Sequence, residues 1–227
     1  MPHVHVHRPH ELDESENESG APPSRRERVL ELTAVLLLSI TTVATAWSGY
    51  QAARWSGDQS QNYAKASANR AKAQQAATAA GQLRIDDLLL FNNWLNADDS
   101  GNKRLADTYR RRFRPEFVPA FRAWLAQNPF TNRRAIPGPQ YMPQYHLAAG
   151  SLAKSYDAKA DDFFKEGTDA KSNDDKYILS TVFFAAVLFF AGISLRLDWR
   201  PLRMFVLGAA TVMLVSAAVF VLSLPVA

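Results

Sequence analysis

Apolar residues concentrate in three stretches that bracket a long polar middle. Leu32–Trp47 is sixteen residues long, Tyr177–Leu195 nineteen and Met204–Leu224 twenty-one. The last two match the ~20 residues a helix needs to cross a bilayer core. The first is shorter and carries Ser39, Thr41, Thr42 and Thr45, but its flanks fit a span. Arg25, Arg26 and Arg28 precede it, and Trp47, Tyr50 and Trp55 follow it. Basic residues mark the cytoplasmic edge of a span, and aromatic rings favour the membrane–water interface. The link Arg196–Arg203 is short and basic, so three spans place both arginine clusters on one side, predicted to be the cytoplasm.

The expected organisation follows. Residues 1–27 form a disordered cytoplasmic tail rich in His and acids, and 28–49 the first transmembrane helix. Residues 50–176 form an extracytoplasmic helical domain, 177–195 the second span, 196–203 a cytoplasmic loop and 204–224 the third span. The predicted fold is all-α: an integral membrane protein with three transmembrane helices and an extracytoplasmic helical bundle. An acidic tail ahead of the first apolar run, with no small-residue cleavage site closing it, does not read as a secretory signal peptide.

Within the middle, no proline occurs between Pro23 and Pro115, and residues 58–80 are rich in Ala, Gln, Asn, Ser and Lys, which suit a helix. Asp98-Asp99-Ser100-Gly101 reads as a helix stop and turn. A second helix is predicted over Asn102–Gln127 with an aromatic face of Tyr109, Phe113, Phe117, Phe121 and Trp124, kinked or split at Pro115. A third is predicted from about Tyr145 to Asn173, after an irregular, proline-rich connection.

Composition narrows the function classes. The net charge is only +4, with basic residues scattered among acids, so nucleic acid is not an expected partner. There are no cysteines, which excludes disulfides and thiolate metal sites. His3, His5, His7 and His10 have the chemistry to hold a divalent transition metal weakly, but a floppy tail is the simpler reading, and no metal or cofactor is expected. No nucleophile-elbow, zincin or phosphate-loop motif occurs. The acidic pairs Asp86-Asp87, Asp98-Asp99, Asp161-Asp162 and Asp174-Asp175 diverge on a helix and lack a His partner, so no catalytic residue is assigned.

Two sets of residues stand out as candidate contacts. On a helix, Trp47, Tyr50, Gln51, Arg54 and Trp55 share a stripe at the outer rim of the first span, suited to lipid or partner contact. Arg110 and Arg114, on one face of the second helix, could grip a phosphate, carboxylate or headgroup, or pair with Asp107, Glu116 or acids on neighbouring helices. Thr41, Thr45 and Gly49, with Thr42 and Ala46, have the small-xxx-small spacing that lets helices approach closely in lipid.

The chain resembles a family of bacterial three-pass inner-membrane proteins defined only by a domain of unknown function. Residues 44–57 (ATAWSGYQAARWSG) and the block from Tyr109 to Leu125 (YRRRFRPEFxPAFxAWL) carry the resemblance, with Met142-Pro143-x-Tyr145 and Phe189–Ser194. It covers roughly residues 28–203 and implies a bacterial inner membrane, with no activity to carry over. The expected function is a non-enzymatic structural or interaction protein, an oligomeric scaffold or accessory subunit. Its expected partners are the lipid bilayer, copies of itself and an unidentified envelope protein. A channel or transport component, and a membrane-anchored ligand sensor, are the alternatives. No intramembrane charge other than Glu31, near one end of the first span, marks a substrate path, which gives the channel reading little to build on.

Overall fold

The computed structural model describes residues 25–227. The His-rich tail, with the weak metal site considered for it, lies outside the described residues. Five α-helices make up the fold, with no strand among the described residues: α1 Arg25–Asp99, α2 Lys103–Arg111, α3 Val118–Leu125, α4 Ala148–Ser194 and α5 Arg200–Leu222. Parts of α1, α4 and α5 are long and apolar enough to cross a membrane.

The chain divides into two units. One comprises the chain up to Gly49 and Ile178–Leu224; the other comprises Tyr50–Tyr177 and Pro225–Ala227. In the first, hereafter the three-helix unit, Ala34 and Leu37 of α1 pack with Phe184, Val187 and Ala191 of α4 and with Leu207, Ala210, Leu214 and Ala217 of α5. The outer surface remains apolar, with Val35, Leu36, Ile40, Val43, Val212 and Val215 all exposed. The hydroxyls of Thr33, Ser39, Thr41, Thr42 and Thr45 each donate to the carbonyl four residues earlier, so none needs water. At one end, Arg200 of α5 pairs with Glu27 of α1.

The second unit is built on the antiparallel pairing of the remaining part of α1, about 75 Å long at ~1.5 Å per residue, with that of α4. Buried positions on α1 recur every seven residues at Ala66, Ala73, Ala80, Asp87 and Trp94, with Ala52 two such steps before Ala66 and Ala76 and Ala97 three residues after two of them. On α4, Ala153, Ala160, Gly167 and Asp174 keep the same period. A seven-residue repeat with small side chains inward gives a close, supercoiled pair. At Gly167 there is no room for a side chain: a Cβ there would lie 2.5 Å from Tyr63 Cδ1, whose ring stacks on Phe164 at 5.4 Å.

α1 ends in a Schellman turn. Gly101 takes the left-handed conformation (φ 73°), its N–H donates to Asp98 O, and Asn102 N–H donates to Ala97 O. Asn102 then caps α2 by accepting from Leu105 N–H at 3.1 Å. The predicted second helix is indeed split around Pro115 into α2 and α3, with Pro119 in the first turn of α3. An aromatic core gathers Phe91 and Trp94 of α1 with Phe113, Phe117, Phe121 and Trp124. Its rings meet edge-to-face, at 4.7 Å for Trp94–Phe121 and 4.9 Å for Phe113–Phe121.

One element departs from expectation. The third helix does not stop at Asn173 ahead of a separate span; α4 runs unbroken from Ala148 to Ser194. Ser172–Lys176 is polar but holds neither Gly nor Pro, and the Lys171–Asp175 pair at 3.1 Å braces that turn. Polarity alone therefore did not end the helix. Tyr145 precedes α4 in the connecting loop and has a different role, described next.

Candidate functional site

Three features of the second unit carry polar chemistry or recognition. The first is a buried ion-pair cluster. Asp87 continues the alanine register of α1 and so points inward, with its side chain only 1% exposed. Arg114, in the turn between α2 and α3, clasps it with both prongs: Nε donates to Oδ1 at 3.0 Å and Nη2 to Oδ2 at 2.6 Å. Tyr145 O–H donates to the same Oδ2 at 3.0 Å, and Arg114 Nη1 also reaches Glu116 at 3.4 Å. The hydrogen bond and charge of Asp87 hold the Arg114 guanidinium above its ordinary value. Burial, then the Asp87 hydrogen bond, pushes the Tyr145 phenol up to about 12. Every charge here is answered by another, an arrangement that fixes geometry: it ties the α2–α3 turn and the loop before α4 to α1.

Arg110 does not join it. α2 ends at Arg111, so Arg110 and Arg114 do not share a helix face; Arg110 is solvent-exposed while Arg114 is spent on Asp87. Sequence reasoning missed Asp87 because it was judged one of an adjacent acidic pair. The available signal was its place seven residues after Ala80. Beside this cluster, Glu116, Pro119, Pro143, Gln144 and His146 line an open groove of about 660 Å³. Among the described residues, no three His, Asp or Glu side chains converge as a metal site would require.

The second feature is a clamp that closes on the chain itself. Gln51 is buried, and its Oε1 accepts from Ala227 N–H at 3.0 Å. Trp55 Nε1–H and Tyr177 O–H both donate to Pro225 O, each at 3.2 Å. All three hydrogen bonds thus engage backbone groups of residues 225–227. The candidate rim residues therefore divide: Gln51 and Trp55 engage this segment, while Trp47, Tyr50 and Arg54 are exposed. The proposed small-residue seam divides likewise in the three-helix unit. Thr41 is buried and Thr45 half-buried, whereas Thr42, Ala46 and Gly49 face outward.

The third feature is an asymmetry between the outer faces of the paired helices. The cations of α1 lean onto α4: Lys65 over Phe163, Lys72 over Tyr156, and Arg70 over Phe164 while pairing with Asp161. The opposite side of α1 from residue 57 to 82 is left with Gly57, Ser60, Gln61, Ala64, Ser67, Ala68, Ala71, Gln74, Gln75, Thr78, Gly81 and Gln82. All are exposed and none is charged. The outer side of α4 carries Lys154, Asp162, Lys165, Asp169 and Asp175 instead.

Comparison with protein-family models, curated proteins and solved structures gives no match for this chain.

Proposed function

We propose that this protein is a non-enzymatic, three-span inner-membrane scaffold that assembles with copies of itself through the outer face of α1. The observation that carries the reading is the uncharged surface of small residues and glutamines over 57–82 set against the charged back of α4. A solvated helix back normally carries charge, as α4 does. Small, uncharged side chains instead let a second helix approach closely without stripping water from ions.

Residence in the membrane is supported by the three-helix unit, whose candidate spans bury only 17%, 33% and 22% of their apolar windows within the protein. Contiguous apolar surface on that scale is rare on a protein in water, and the internally bonded Ser and Thr hydroxyls suit lipid. The Glu27–Arg200 pair supports an N-terminus on the cytoplasmic side, because it brings both basic clusters to one end of that unit.

The absence of native cysteine makes the test direct. Single Cys residues at Ser67 and Ala71, compared with Ser172 on the outer side of α4, are treated in native membranes with a short bismaleimide. Covalent dimer from Ser67→Cys and Ala71→Cys, with none from Ser172→Cys, is the expected outcome. Equal yields at all three, or none, would refute self-assembly through α1. Labelling of Asn128→Cys but not Asp198→Cys by an impermeant maleimide on intact cells tests the orientation.

A further inference from the structure

At the end of the three-helix unit where α1 and α5 begin, a cavity of about 440 Å³ is lined by groups of both charges: Glu27, Glu31, Asp198, Arg200 and Arg203. Its volume falls within the range of small-molecule sites. Arg200 is committed to Glu27. The remaining charges are not matched. Arg203 Nε–H is buried and, among the described residues, has no hydrogen-bond partner. Neither Glu31 nor Asp198 takes part in a salt bridge among the described residues. A buried guanidinium donor left without an acceptor is costly, and it sits across one small cavity from carboxylates without cations.

We propose that this cavity binds a phosphate–ammonium zwitterion, and specifically the phosphoethanolamine headgroup of a membrane phospholipid. The phosphate oxygens accept from Arg203 and from the outer edge of Arg200, and the primary ammonium donates to Glu31 and Asp198. A guanidinium matches phosphate, and a primary ammonium retains N–H donors for carboxylates. A quaternary ammonium has none, and a glycerol headgroup has no cation. The three leucines that complete the lining (Leu30, Leu195 and Leu197) suit the glycerol end of a lipid. The lipid source rests on the membrane reading proposed above, since this end of the unit then lies among the headgroups.

The test uses the full chain, delipidated in detergent, with native mass spectrometry reading the occupancy of added lipid. Phosphatidylethanolamine is expected to bind about tenfold more tightly than phosphatidylcholine or phosphatidylglycerol, as loss of charge-assisted hydrogen bonds predicts. Arg203→Gln should weaken all three lipids. Glu31→Gln and Asp198→Asn, which leave the phosphate site intact, should abolish the preference for ethanolamine over choline while choline binding persists. Equal binding of the three lipids by the unaltered chain, or a preference that survives both acid substitutions, overturns the proposal. Soluble phosphoethanolamine binding as tightly as the lipid would overturn the lipid source. Vesicle flotation separates this outcome from failure of the membrane reading. A chain that floats yet shows no headgroup preference refutes only the cavity's assignment, whereas a chain that does not float refutes the membrane reading itself.

Discussion

Removing Asp87 is the sharpest perturbation the second unit offers. In Asp87→Ala, Arg114 loses both short contacts and Tyr145 loses its acceptor, while the alanine leaves a gap in the register between Ala80 and Trp94. Breaking one side of a buried pair costs roughly 3–5 kcal/mol. Arg114 is 23% exposed and keeps Glu116, which lowers that figure, whereas the stranded Tyr145 hydroxyl adds to it. The net expectation is a loss of about 3 kcal/mol. For a chain of this length that is a fall of roughly 6–12 °C in Tm.

Arg114→Met alone should cost a comparable amount, because it strands a carboxylate that is almost wholly enclosed. The double substitution Asp87→Ala/Arg114→Met removes both charges and should cost clearly less than the sum, with a coupling of about 2 kcal/mol. Thermal unfolding in detergent reads the totals, and hydrogen exchange over residues 112–147 reads where the loosening occurs. The expected pattern is faster exchange in the α2–α3 turn and the loop before α4, with the three-helix unit unchanged. Strictly additive single and double costs, or loosening that spares both segments, would show that the pair does not anchor them.

Three other outcomes follow from named contacts. Tyr145→Phe should cost about 1 kcal/mol for the lost hydrogen bond; because the Tyr145 phenol is raised to about 12, its contribution is intact below pH 10 and is lost as pH rises toward 12, so the unaltered protein should lose stability across that window and the variant should lose less, in Tm measured against pH. Gly167→Ala should destabilise by about 1–3 kcal/mol despite the better helix propensity of Ala, since the Tyr63 ring must leave its stack on Phe164; a Tm at or above that of the unaltered protein would contradict the tight seam. Gln51→Leu, Trp55→Phe and Tyr177→Phe together should free residues 225–227, seen as a sharpened electron-spin-resonance spectrum of a spin label on Val226→Cys; an unchanged line shape would show that the clamp does not hold the segment.

How legible this fold was in the sequence depended on the kind of signal each element used. The apolar stretches, the stop at Asp98–Gly101 and the break at Pro115 announce themselves through hydropathy, Gly and Pro, which act on the backbone directly. The seam between α1 and α4 uses alanine, which hydropathy patterning barely distinguishes from its surroundings. Its message lies in spacing: Ala66, Ala73 and Ala80 on α1, and Ala153, Ala160 and Gly167 on α4, repeat every seven residues. Extending that register sorts the acidic pair, since one more step of seven from Ala80 lands on Asp87, while its neighbour Asp86 is turned outward. The partner of Asp87 was not legible by the same route, because Arg114 lies in a turn whose path is set by tertiary packing of the aromatic core. Gln51 shows the limit most plainly. Local spacing grouped it with Trp47, Tyr50, Arg54 and Trp55 at a membrane rim, yet its acceptor serves Ala227, 176 residues further along the chain. A side chain whose partner comes from so distant a segment carries no mark of it in its own neighbourhood, so periodicity can say that Gln51 faces a helix pair but not what it meets there.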